Sequence, residues 1–255
     1  MVKLKSPKQI EAIRESGAIL AATLDALKEI VEAGITLLEI DSECRRILAG
    51  HGATPAFLGY MDYPAAICTS VNEEVIHGIP SKRRLREGDV VSLDCGVNYN
   101  GFISDSAVTV PVGRVRPEVQ ELLRITQEAL ELGIAAAHPG GRVHDISRAV
   151  YRHVSQHKFG VVRPYCGHGV GFAVHEEPQV PNYVSAGPNP RLKPGLVIAV
   201  EPMINLGGDE VEVLEDGWTV VTMDGSYSAH FEHTIAITED GVEVLTQQQS
   251  TVEAS

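Results

Sequence analysis

Four carboxylates set among apolar, strand-like runs raise the first chemical question in this sequence. Asp94 and Asp105 lie in VVSLDCGV and FISDSAVTV, which flank NYNG. Asn100-Gly101 is a strong two-residue hairpin signal. With those residues as the turn, Asp105 opposes Gly96, which shares a face with Asp94 because alternate strand residues point the same way. The other face carries Leu93, Cys95 and Val97, which suit a core. Two like charges among apolar strands are costly unless a cation or a proton neutralises them; the alternative is an acidic pair facing solvent. Glu201 closes the apolar strand VIAVEP, where Pro202 cannot donate a ladder bond. Glu232 sits in AHFEHTIAIT with Phe231, Ile235 and Ile237 on the opposite face. Four such carboxylates and one imidazole form an oxygen and nitrogen donor set. It suits a pair of divalent ions such as Mn, Fe, Co or Zn, with carboxylates bridging, rather than a thiolate site.

The imidazole comes from PYCGHGVGFAVHEEP, which holds His168 and His175 seven residues apart. On one straight strand they would face opposite ways. On a helix they would share a face, but Gly167, Gly169 and Gly171 oppose a helix. A bent segment resolves the conflict and lets the two imidazoles take different places near the carboxylates. The competing interpretation is a pair of structural histidines with satisfied hydrogen bonds.

These residues need elements to position them. A helix should start at Ser6 with Pro7 behind it and close at Gly34. Thr36 opens a second helix, PEVQELLRITQEALELGIAAAHPG forms a third, and RVHDISRAVYRHVSQHKFG a fourth. Sliding the chain by 106 residues lays Thr36 on Arg142, Leu37 on Val143, Glu39 on Asp145 and Ile40 on Ile146. The order long helix, short helix, strands therefore occurs twice. No helix-length stretch separates the strands within a half, so the sheet should be mainly antiparallel. The expected fold is α/β (α+β): one domain over residues 1–255, with halves at 6–112 and 117–248, and a curved sheet flanked by four helices.

The chain has 255 residues, enough to bury a substantial core, and no apolar run as long as a membrane span. Its N-terminus lacks an apolar signal core, and Cys44, Cys68, Cys95 and Cys166 form no CxxC pair, so the sequence predicts a cytoplasmic protein without disulfides. A formal charge of −13 argues against general nucleic-acid binding. The basic loop with Lys82, Arg83, Arg84 and Arg86 is a local exception, either simply solvated or a docking patch.

The segments VNEEVIHGIP, GDVVSLDCGVNYNGFISDSA, YCGHGVGFAVHEEPQV, GLVIAVEPMI, DGWTV and FEHTIAIT together resemble the type I methionine aminopeptidases, over roughly residues 6 to 248. The resemblance implies the duplicated pita-bread fold. It implies removal of the N-terminal methionine from nascent polypeptides with a small second residue, by water activated between two divalent ions. The implied metal ligands are Asp94, Asp105, His168, Glu201 and Glu232, with Asp105 and Glu232 bridging. Glu201 would be the general base, while His77 and His175 would contact the substrate. The methionine pocket would involve Phe57, Tyr60, Tyr63, Cys68 and Trp218. The resemblance also implies a monovalent cation near Asn72 and Ser228, a monomer, and passing contact with the ribosome. This sequence departs from the family pattern at Phe57, where cysteine is frequent, at Val174, where phenylalanine is frequent, and at His230, where glutamine is usual. His230 lies two residues before Glu232, and so is expected on the same strand face, as an imidazole that takes over an amide's hydrogen bond or, in competing readings, as a donor behind the ligands or an extra ligand. Two rival functions share the fold: an Xaa-Pro aminopeptidase-like hydrolase and a catalytically inactive binding protein.

Overall fold

Ser6 and Pro7 open the first helix, as the sequence predicts. A computed structural model describes residues 2–247. Helix α1 spans Pro7–Ile30, and the Gln9 side chain accepts the Ser6 N–H at 2.8 Å. The helix stops short of the predicted Gly34. That glycine instead adopts φ 102° in the turn towards the second helix, with its N–H donated to the Leu85 carbonyl. Helix α2, Leu37–Gly50, is capped reciprocally: Thr36 Oγ1 accepts the Glu39 N–H and Glu39 Oε2 accepts the Thr36 N–H. Helices α3 and α4 span Pro117–Ala136 and Val143–Val154. At the start of α4, Asp145 accepts the Arg142 N–H at 2.8 Å, the counterpart of Glu39 on Thr36. The echo extends to isolated bridges pairing Thr36 with Arg84 and Arg142 with Arg191.

A nine-stranded sheet forms the centre, and its pairings are all antiparallel. Its path runs Thr54–Pro55, Val90–Tyr99, Phe102–Pro111, Glu232–Ile237, Val197–Val200, Gly167–Gly169 and Glu176–Val180. Cys68–Val71 and Val242–Val244 pair beside this path. The Asn100-Gly101 turn sets the predicted register, Tyr99 opposite Phe102 and Gly96 opposite Asp105. The strand before Glu201 ends before Pro202, as expected, but the strand expected to run on through AHFEHTIAIT is broken at Phe231. Pro202 and Phe231 separate Met203–Asn205 and Ser228–His230 from the main sheet, and those two pair in a small sheet with Gly160–Val161. Proline supplies no ladder N–H, while its carbonyl accepts the Phe231 N–H at 3.4 Å, so the chain leaves one sheet and enters the next here. A second small sheet joins Glu74–Ile76, Val211–Val213 and Val220–Thr222.

Alternation fixes the two faces of the main sheet. Leu93, Cys95 and Val97 pack with Leu20, Leu24, Leu27, Ile40 and Leu48 from α1 and α2. Ile198, Val200, Ile235 and Ile237 pack with Leu122, Ile125, Ile146 and Val150 from α3 and α4. The helices therefore cover one face, and Asp94, Glu201 and Glu232 are turned to the other. Helix α1 approaches the chain's later strands at Gly17, where a Cβ would overlap the Leu245 carbonyl. Gly17→Ala should lower the unfolding free energy by about 1–3 kcal/mol in urea titrations, by forcing α1 off the sheet. Unchanged stability would show that α1 can shift freely. In the basic loop, Arg83 pairs with Glu74 at 3.0 Å and Arg84 donates to the Gly34 carbonyl, so both guanidinium groups brace local structure. Among the described residues no helix is long and apolar enough to cross a membrane.

Candidate metal centre

Cross-strand register assembles the acids. Asp94 and Glu232 each pair with Ala107, from opposite sides of the Phe102–Pro111 strand. Asp105 lies two residues before Ala107 on the same strand and face. Its backbone is pinned by Thr234, whose Oγ1 accepts the Asp105 N–H at 3.0 Å and donates to the Asp105 carbonyl at 2.7 Å. Glu201 follows Val197–Val200, and Asn182 Nδ2 holds its carbonyl at 2.9 Å. His168 sits in the short Gly167–Gly169 strand, with Nε2 3.3 Å from Glu201 Oε1 and 3.9 Å from Asp105 Oδ2. Donor atoms of Asp105, His168 and Glu232 all lie within 4.8 Å of one another.

The segment bends after Gly169, as the two histidines require. Glu176 holds the bend: one carboxylate oxygen accepts the Phe172 and Ala173 N–H groups, and the other meets Lys5 Nζ at 2.8 Å in a buried ion pair. The His168 and His175 rings come within 4.3 Å, and His175 Nδ1 meets Tyr60 Oη at 2.9 Å. His77 adopts φ 61°, a left-handed conformation unusual outside glycine, and stacks edgewise near Tyr165 and Trp218.

These groups line one cavity of about 490 Å³. All five candidate ligands reach it, with His77, His175, Phe57, Tyr60, Tyr63, Cys68, Val174, Trp218 and His230. Gly96 makes room for Phe57, whose ring carbon lies 2.6 Å from where a Cβ would stand. Tyr63 and Trp218 meet edge to face at 5.0 Å. Met61, Ile76, Tyr165 and Val213 also line the cavity without having been singled out in the sequence. Tyr165 adjoins the glycine-rich histidine segment, whereas Met61 is carried there by a local turn with φ 49° that no periodicity announces. Asn72 and Ser228 lie together elsewhere, joined by the Ser228 N–H on the Asn72 carbonyl at 2.8 Å.

Burial dominates the electrostatics. It raises Asp94 to about 7 and Glu201 to about 8, and it drives Asp105 and Glu232 well above the carboxylate range, helped by their acidic neighbours. The same desolvation lowers His168 to about 3 and His77 to about 4, and also lowers His175 and His230. Asp94 Oδ1, Asp105 Oδ1 and Glu232 Oε1 are buried with no hydrogen-bond partner among the described residues. His168 Nδ1 lies 3.0 Å from the Gly169 carbonyl; donation there leaves the Nε2 lone pair facing the acids. A divalent cation would partner these orphaned oxygens and offset the repulsion, so the donor set fits one.

Residues 11–239 match Metallopeptidase family M24. The sequence is 53% identical over 248 residues to the methionine aminopeptidase of Treponema pallidum, covering 97% of each chain. The fold is similar to the crystal structure of methionine aminopeptidase from Thermotoga maritima, with a TM-score of 0.95 and 43% identity over 97% of this chain and 100% of that one. Prolidase from Pyrococcus furiosus is less similar, with a TM-score of 0.79 and 25% identity over 97% of this chain and 66% of that chain.

Proposed function

This chain belongs to metallopeptidase family M24, and we infer that it removes the N-terminal methionine from proteins and peptides as a metal-dependent hydrolase of pita-bread fold. The observation that supports this best is the convergence of four buried carboxylates and His168 at the floor of a cavity whose walls are aromatic and apolar. Asp94, Asp105, His168, Glu201 and Glu232 would hold two divalent ions. When bound, the ions supply Lewis-acid chemistry and lower the pKa of water towards neutrality. Glu201 acts as general base, taking the proton of the attacking water and passing it to the leaving amine.

His175 contacts the scissile amide from beyond His168. If Tyr60 donates to Nδ1, the ring proton sits on Nε2, free to stabilise the developing oxyanion. Tyr60→Phe should then lower kcat about tenfold with KM little changed, because the tautomer is no longer held. Equal effects on kcat and KM, or none, would remove Tyr60 from this role. His77, held rigidly by its backbone conformation, narrows the space beyond the cleaved bond and favours a small second residue. Phe57, Tyr60, Tyr63, Cys68 and Trp218 enclose the thioether side chain, a match of soft sulfur to aromatic surface.

The two halves act as one catalytic domain, as a monomer in the cytoplasm, on nascent chains it meets in passing contact with the ribosome. Backbone oxygens near Asn72 and Ser228 would bind a monovalent cation. The test is activity of chelated protein on Met-Ala-Ser and Ala-Pro peptides, with each divalent ion restored in turn. Metal-restored release of methionine from the first peptide alone is expected. Cleavage of the second instead would favour proline-directed chemistry, and no cleavage of either would favour a binding protein.

A further inference from the structure

His230 is 1% exposed, and neither of its ring nitrogens has a hydrogen-bond partner among the described residues. A buried imidazole carries one donor and one acceptor, so leaving both unsatisfied is costly without a partner of another kind. Its surroundings supply one. Nε2 stands 3.6 Å from Glu201 Oε2 and 4.0 Å from Glu232 Oε2. His168 bears nearly the same relation to the acids, at 3.3 Å from Glu201 Oε1 and 3.9 Å from Asp105 Oδ2. The Glu201 carboxylate thus lies between two imidazoles, each facing one of its oxygens.

These separations are long for a hydrogen bond. They are right for two donors on one ion: with bonds of about 2.1 Å, ligand atoms sharing a cation lie at most about 4.2 Å apart. The backbone is also built for the purpose. Thr109 Oγ1 accepts the His230 N–H and donates to the His230 carbonyl, both at 2.8 Å. Thr234 grips Asp105 in the same double fashion. A threonine clamp therefore fixes His230 as firmly as it fixes one of the candidate ligands.

We propose that His230 Nε2 is a sixth protein ligand, giving the centre a second imidazole on the side of Glu201 away from His168. This rests on the reading that Asp94, Asp105, His168, Glu201 and Glu232 hold divalent ions. A second nitrogen donor shifts preference towards Co and Zn and away from Mn, which favours oxygen.

Cobalt(II)-loaded protein should show two strongly contact-shifted imidazole N–H protons in its NMR spectrum, and His230→Gln should show one. The variant should also bind cobalt or zinc about 10- to 100-fold more weakly by competition with a chromogenic chelator, while manganese affinity changes only a few-fold. Thermal unfolding of the chelated variant checks that it is folded. One shifted imidazole in the wild type, unchanged by His230→Gln, would overturn the proposal and leave the five-ligand reading standing. No shifted imidazole at all would overturn both. Equal weakening for cobalt and manganese would assign His230 to supporting the acids rather than to ligation.

Discussion

Glu201→Gln is expected to leave less than about 0.1% of wild-type turnover on a Met-Ala-Ser peptide. The substitution keeps the shape of the side chain and removes the group that takes and returns the proton, a loss worth about 10²–10⁴-fold on its own. It also removes a carboxylate whose oxygen lies 3.3 Å from His168 Nε2, so divalent-ion affinity should fall as well. Metal content and turnover are therefore to be measured on the same samples, with ion added to saturation. Turnover near wild type in the saturated variant would remove Glu201 from the role of base. The same change should stabilise the chelated protein at alkaline pH. Burial raises Glu201 to about 8, so its ionised form is the costly one, and glutamine never pays that cost. Loss of activity with a gain of stability would identify a residue kept for chemistry rather than for folding.

The sequence carried the positions of the acids because strand alternation and one turn determine them. Asn100-Gly101 fixed the hairpin register, and once Gly96 opposed Asp105 the shared face of Asp94 and Asp105 followed. The repeat of the helix starts was legible for a local reason too: the slide that laid Glu39 on Asp145 matched two residues that each accept the N–H three positions before them. What escaped were features decided by long-range geometry. The break at Phe231 depends on two segments leaving the main sheet together. Gly34 carried a helix-stop signal, but tertiary contact with Leu85 used it for the next turn. His230 illustrates both sides. Its spacing from Glu232 put it near the acids, but the strand interruption at Phe231 made the argument from a continuous strand face inapplicable. The small sheet and the Thr109 clamp deliver the ring instead.

Chelated protein should lose stability as pH rises from about 6.5 to about 8, and divalent ions should abolish that loss. The sign follows from which state binds protons more tightly. Asp94 and Glu201 are raised to about 7 and about 8 from ordinary values near 4, so the folded state holds their protons after the unfolded state has released them. Their contribution is complete at acid pH and is lost progressively up to about 8, at about 1.4 kcal/mol per pH unit for each group still titrating. The buried histidines work in the opposite sense. His168 and His77, lowered to about 3 and about 4, favour the folded state above pH 6.5 and cost stability as pH falls below it. The two effects oppose one another between about 4 and 6.5, and above that window the carboxylates act alone. Divalent ions need ionised carboxylates and so compete with the same protons, which makes the metal-induced rise in Tm grow with pH. Melting curves of chelated and manganese-loaded protein at half-unit steps from pH 5.5 to 8.5 test this. A chelated Tm that stays level above pH 6.5, or a metal-induced shift that does not grow with pH, would mean that these carboxylates are not the groups whose charge the ions neutralise.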